Sequence, residues 1–177
     1  MIDGLAVLVK LLLYTGALIS AGTGLAVVSL RGRCAGSADV APMIIGGGAI
    51  LLVVASVANV IVLLARLGGG FGTAMIAMIM DTPTGTAAAL QVAGAILSLV
   101  SVWLAPRVGV VTLGGAMLVL VSFGVNGHAA AEGAVPGLVA FLHVGAVAWW
   151  LGGLLMLYRA YRVLDTPNLV TCVQHFS

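Results

Sequence analysis

The sequence predicts an all-α membrane protein, a polytopic helix bundle with about five transmembrane helices. Of its 177 residues, 62% are hydrophobic and 7% are charged, whereas a soluble domain carries about 25% charged residues. Five stretches are nearly free of charge and long enough to span, since crossing the hydrocarbon core takes about 20 helical residues. The alternation of an outer-membrane barrel is absent. Because backbone groups must be paired within lipid, we expect each stretch to be a helix.

The predicted spans form one bundle over residues 1–160, and residues 161–177 are a cytoplasmic tail or the start of a missing sixth helix. The spans cover about residues 5–30, 43–65, 84–105, 108–125 and 135–158. In the linker before the third span, we expect a short interfacial helix over Ala74–Met80. Thr82 and Pro83 suit the start of the next helix, because proline is tolerated in a first turn.

The arginines predict the orientation of the chain. If it crosses the membrane five times, one side holds five arginines: Arg31, Arg33, Arg107, Arg159 and Arg162. The other side holds only Arg66, at its edge. The positive-inside rule then makes the arginine-rich side cytoplasmic and places the N-terminus outside. The net charge of +2 is too small to indicate a nucleic-acid partner.

Two histidines are the main candidates for a functional site. His143 lies within the last span, roughly 10–12 Å deep, where an ionisable side chain is costly unless it has a partner. His128 lies at the outer end of the fourth span, and a short turn joins the two helices. Both imidazoles could therefore reach one outer-leaflet site for copper, zinc, iron or haem. Alternatively, each histidine bonds a backbone carbonyl of a neighbouring helix.

Three methionines, Met75, Met78 and Met80, lie in the linker on the same outer side. Thioethers are soft ligands that select Cu(I), and the first two share a helical face. For this motif alone, apolar filling is the better interpretation. Glu132 and Asp81 could add oxygen ligands, although Asp81 could instead cap the third span.

The remaining polar residues of the spans have structural interpretations. Snorkelling outward is the better interpretation of Lys10, with pairing to Asp3 as the alternative. Asn59 and Gln91 are expected to form interhelical hydrogen bonds. The two cysteines form no CxxC pair and predict neither a disulfide framework nor a zinc site. No nucleophile–base pair, phosphate loop or carboxylate pair is visible, so an enzyme is not expected.

Two motifs near the end of the chain resemble the CopD family of bacterial inner-membrane copper proteins. NGHAAAE (Asn126–Glu132) contains the family's GHA motif, with Gly127 and His128. LHVGAVAWWLGGLL (Leu142–Leu155) contains its H-x6-W-x-G-G motif. The residues of this second motif are His143, Trp150, Gly152 and Gly153.

Two weaker similarities extend the resemblance over essentially the whole chain. MDTPTGTAAALQ (Met80–Gln91) resembles the T-x-x-G opening of the family's third helix, with Thr82 and Gly85. The terminal HFS resembles the R-F-S start of the following family helix, with His175 in place of arginine. The family has about eight helices, so the chain is expected to be the N-terminal part of a longer protein or a truncated member.

The resemblance implies copper transport across the cytoplasmic membrane, usually uptake from the periplasm, in copper homeostasis and resistance. A small periplasmic copper-binding partner of the CopC type is also implied. Copper would arrive near Met75, Met78 and Glu132, and then pass to His128 and His143. Further helices of a longer chain, or a homo-oligomer in the lipid bilayer, would enclose the histidines.

Two other functions remain open from the sequence. Bis-histidine ligation could hold haem b in a membrane redox protein, and the spacing from His143 to Trp150 also resembles that of small haem-dependent membrane oxidases. In a non-catalytic assembly subunit, the histidines would only pack.

Overall fold

The computed structural model describes residues 2–30, 41–68, 72–104, 108–126, 131–163, 169–170 and 173–174. Within these residues the secondary structure is helical and contains no strand, which confirms the all-α class. The main helices are α1 (Ile2–Ser29), α2 (Ala41–Arg66), α3 (Thr73–Met80), α4 (Pro83–Trp103), α5 (Val108–Gly124) and α6 (Ala134–Val163).

Four of the described helices, α1, α2, α4 and α6, are long and apolar enough to cross a membrane. Helix α5 is also apolar but has 17 residues, which is at the lower limit for a span of about 17–25 residues. The fifth crossing therefore stays a prediction. Helix α6 continues to Val163, so the first residues assigned to the tail are helical.

Consecutive long helices run antiparallel, and α1 and α6 run parallel. Asp3 at the start of α1 contacts Arg66 at the end of α2, and Thr84 at the start of α4 contacts Asn126 just after α5. We call this side of the bundle the Asp3 end; α6 also begins there. The opposite side, where α6 finishes near Arg162, is the Arg162 end.

Glycines let these helices pack backbone against backbone. A Cβ atom added to Gly16 of α1 would lie 2.7 Å from the backbone nitrogen of Leu52 in α2. A Cβ on Gly94 of α4 would lie 2.7 Å from the carbonyl oxygen of Gly115 in α5. Both separations are too short for a side chain, and small residues at such contacts are typical of membrane helix pairs. The high glycine content is thus used at helix crossings.

A buried hydrogen-bond chain links three helices. The hydroxyl of Ser56 in α2 donates to Oε1 of Gln91 in α4 over 2.9 Å. Nε2 of Gln91 donates to the hydroxyl of Ser122 in α5 over 3.2 Å. Gln91 therefore forms the interhelical hydrogen bonds that the sequence predicts, whereas the Asn59 side chain, for which the same was predicted, forms none with a described residue.

Candidate functional site

His143 lies on the exposed surface of α6, about 13 Å along the helix from its start at Ala134. Within the described residues its imidazole has no hydrogen-bond partner. The described part of the chain therefore gives no support to the alternative in which this histidine bonds a neighbouring carbonyl. Its two ring nitrogens are available to a ligand or to another protein segment.

The residues of the H-x6-W-x-G-G motif lie on two different faces of α6. A Cβ atom on Gly152 would overlap the backbone of Gly22 in α1, and both Gly152 and Gly153 are buried. By contrast, Trp150 is 56% exposed, on the same side as His143. We define the His143 face of α6 as the surface that these two exposed side chains share. The glycines hold α6 against α1, and the histidine and tryptophan point away from that contact.

The methionine helix α3 packs against α4 and α2 at the Asp3 end. Its anchor is Ile79, which is only 2% exposed. Met78 and Met80 are exposed and Met75 is half-buried. Because Ile79 supplies the apolar packing, at least two thioether side chains remain accessible at the surface of this bundle.

The T-x-x-G motif fixes the corner between α3 and α4. The hydroxyl of Thr82 accepts a hydrogen bond from the backbone N–H of Gly85 over 3.2 Å and donates to the carbonyl of Ile79 over 2.6 Å. A Cβ on Gly85 would overlap the backbone of Ile79 and Met80. The motif therefore positions the methionine helix.

Asp81 does not cap α4, and the alternative that assigned it this role is wrong. It is the C-cap of α3, where its backbone N–H donates to the carbonyl of Ala77. Thr82 takes the N-cap position because it directly precedes Pro83 in the first turn of α4, and a threonine hydroxyl at that position satisfies an otherwise unpaired backbone donor.

The described structure does not bring the methionines and His143 together. Helix α3 packs against α4 and α2, whereas α6 packs against α1 and α5. Glu132 is exposed just before α6. Gly127 and His128 lie outside the described residues, so the pairing of the two imidazoles stays a prediction. No group of three or more His, Cys, Asp or Glu that could hold a metal ion occurs among the residues described.

A polar cavity that the sequence interpretation missed lies between α1, α2, α4 and α5 at the Asp3 end. It has a volume of about 260 Å³. Its polar lining includes Lys10, Asn59, Arg66, Thr84, Gln91 and Asn126. The sequence holds a signal for this cavity, since these residues come to similar depths once α1, α2 and α4 alternate in direction.

The alternative in which Lys10 pairs with Asp3 is not observed among the described residues, because Arg66 pairs with that aspartate. Nη2 of Arg66 lies 2.6 Å from Oδ1 of Asp3. The Asp3 side chain is 94% exposed, so this ion pair is solvated and contributes little to stability. Lys10 instead lines the polar cavity.

These features define a polytopic helical membrane protein with exposed thioether and imidazole side chains. The family model described as copper resistance protein D-like, N-terminal domain, matches residues 1–138. The chain belongs to this family and is therefore a copper-related membrane protein. The match includes the α3 methionines, Thr82 and His128 but stops before His143. Searches of curated proteins and of solved structures found no match.

Proposed function

We propose that the protein carries copper across the bacterial cytoplasmic membrane, most directly as uptake from the periplasm, and so contributes to copper homeostasis and resistance. The observation that carries this proposal is the copper resistance protein D-like family model over residues 1–138. The exposed thioethers of Met78 and Met80 support it, because soft ligands suit Cu(I).

In the proposed route, copper first meets the methionine helix at the Asp3 end, which the positive-inside rule makes the periplasmic side. Met75, Met78 and Met80 supply sulfur there, and Glu132 is an exposed carboxylate that precedes α6. A small CopC-like protein would deliver the ion to this surface. From there copper would pass to His128 and His143.

The exposed position of His143 supports a proposed transport site that includes protein on the other side of α6. An imidazole that faces hydrocarbon is costly without a partner, and the His143 face lies away from α1 and α5. We propose that a second copy of the chain, or additional helices of a longer chain, covers this face. Copper would then be held between α6 and the covering helix.

Copper flux tests the proposed function. The full chain is reconstituted into liposomes that contain a Cu(I) chelator with an optical signal. We expect time-dependent copper entry above that of protein-free liposomes, and a loss of that entry in His143→Ala. The matched control is His175→Ala, which removes another of the three histidines. Entry equal to that of empty liposomes, together with no copper in the purified protein, would contradict the proposal.

An optical spectrum of the same purified sample tests the haem alternative. Haem b gives an intense Soret band, whereas Cu(I) bound to sulfur and imidazole gives none. A Soret band that disappears in His143→Ala would replace copper transport with membrane redox chemistry.

A further inference from the structure

The polar cavity at the Asp3 end is a second candidate binding site. Lys10 contributes from α1, Asn59 from α2 and Gln91 from α4. Its volume of about 260 Å³ lies slightly below the range of small-molecule pockets, which starts at about 300 Å³. The cavity can therefore hold a small solute or the polar part of a larger molecule.

Lys10 is the only lysine in the chain, and its position needs an explanation. It lies seven residues beyond Asp3, or roughly 10 Å along α1, at a depth where an unpaired cation is costly. Asp3 is paired with Arg66, and Lys10 has no ion-pair partner in the described part of the chain. Lys10 is exposed and lines the cavity, which offers room for a counterion.

The other groups around the cavity favour an anion. Its described lining includes Lys10, which has no ion-pair partner there, and Arg66, whose charge Asp3 already pairs. The described lining contains no carboxylate, imidazole or sulfur side chain. Helix α4 begins beside it, with Thr84 in the first turn, and the start of a helix stabilises negative charge. This set of groups does not suit a copper ion, which needs nitrogen or sulfur ligands.

The two side-chain amides of Gln91 and Asn59 differ in their hydrogen bonds. Gln91 is hydrogen-bonded to Ser56 and Ser122, so its side chain has a fixed position in the wall of the cavity. The side chain of Asn59 has no hydrogen bond to any described residue. Its amide N–H groups are free to donate into the cavity beside Lys10.

We propose that the polar cavity binds a phosphate group, whose oxygens accept hydrogen bonds from the Lys10 ammonium and the Asn59 amide. Lysine is a common phosphate-binding residue. The phosphate can belong to an anionic lipid of the adjoining leaflet or to inorganic phosphate in solution. The site is separate from His143 and from the methionine helix, and it does not depend on the copper function.

The test compares Lys10→Gln with Arg159→Gln in the full chain. Both variants lose one positive charge, but Arg159 is exposed near the Arg162 end, away from the cavity. Each protein is placed in nanodiscs of phosphatidylglycerol and phosphatidylcholine, and native mass spectrometry counts the phosphatidylglycerol retained after release. In parallel, Lys10 is reductively methylated with a ¹³C label, and its NMR signal is followed during titration with inorganic phosphate.

We expect Lys10→Gln to weaken binding about tenfold, as for the loss of one charge-assisted hydrogen bond, whereas Arg159→Gln binds like the unmodified chain. Lipid retention would identify a headgroup as the source, and a saturable shift of the lysine signal would identify soluble phosphate. The proposal is overturned if the unmodified chain shows neither signal. The proposal is also overturned if Lys10→Gln and Arg159→Gln lose binding equally. A third variant, Lys10→Arg, keeps the positive charge and must bind phosphate more tightly than Lys10→Gln.

Discussion

The two faces of α6 carry parts of one sequence motif but have opposite surroundings. On one face, Gly152 meets the backbone of Gly22 so closely that no side chain fits between α1 and α6. On the other face, His143 and Trp150 are exposed. The glycines therefore serve a contact completed within this chain, whereas the described residues leave His143 and Trp150 exposed, as the proposed function requires of a face that a further helix covers.

The largest expected effect is at the glycine face. Gly152→Val would place a branched side chain in the backbone of α1, and overpacking of a close contact costs about 3 kcal/mol. The loss of unfolding free energy is measured by unfolding the protein in mixed detergent and monitoring the helical signal by circular dichroism. Gly47→Val in α2 is the matched control, because a Cβ there meets nothing within 4 Å. Equal stability of the two variants would show that α6 does not pack on α1 in this way.

The second-largest loss of stability is expected when the buried hydrogen-bond chain through Gln91 is broken. Gln91→Leu removes both bonds and leaves the hydroxyls of Ser56 and Ser122 without this partner. We expect a loss of about 1–2 kcal/mol of unfolding free energy, since interhelical hydrogen bonds in membranes are individually modest. A double-mutant cycle with Ser56→Ala isolates the coupling, and strict additivity of the two changes would contradict the described bond.

Loss of the N-cap of α4 should have a similar or slightly smaller effect, concentrated at the methionine helix. Thr82→Ala removes the hydroxyl that bonds Gly85 and Ile79, at a cost of about 1 kcal/mol. Hydrogen exchange should increase over α3 and the first turn of α4. Thr82→Ser keeps the hydroxyl and should restore protection; if it does not, capping is not the role of this residue.

The smallest effect on stability is expected at the His143 face. Trp150→Leu replaces one exposed apolar side chain with another, so the unfolding free energy of the monomer should change by less than about 0.5 kcal/mol. The same change should weaken any association through this face, and cross-linking in membranes measures that. A large loss of stability in the monomer would mean that Trp150 packs within the chain.

The helical class could be predicted from the sequence because hydrophobic length is a local property. The starts of the helices were harder to predict. Asp81 and Thr82 are adjacent and both are good capping residues, so only the structure shows that Thr82 bonds Gly85 while Asp81 ends α3.

Pairings between distant residues could be predicted only in part. Gln91 was correctly expected to bond across helices, because a buried amide in lipid needs a partner. The pairing of Asp3 with Arg66 could not be predicted, because these residues are 63 positions apart and their contact depends on how α1 and α2 align. The polar cavity could not be predicted for the same reason. Its lining combines side chains from four helices, and these side chains form no local sequence motif.

The most direct test of the central claim is the copper content of the purified full chain after equilibration with Cu(I) and removal of excess metal. We predict bound copper in the unmodified chain and in His175→Ala, a strong loss in His143→Ala, and weaker binding in acid, because imidazole ligands must be neutral. Copper that is retained unchanged in His143→Ala would contradict the account, because the motif face of α6 would then have no part in holding the metal.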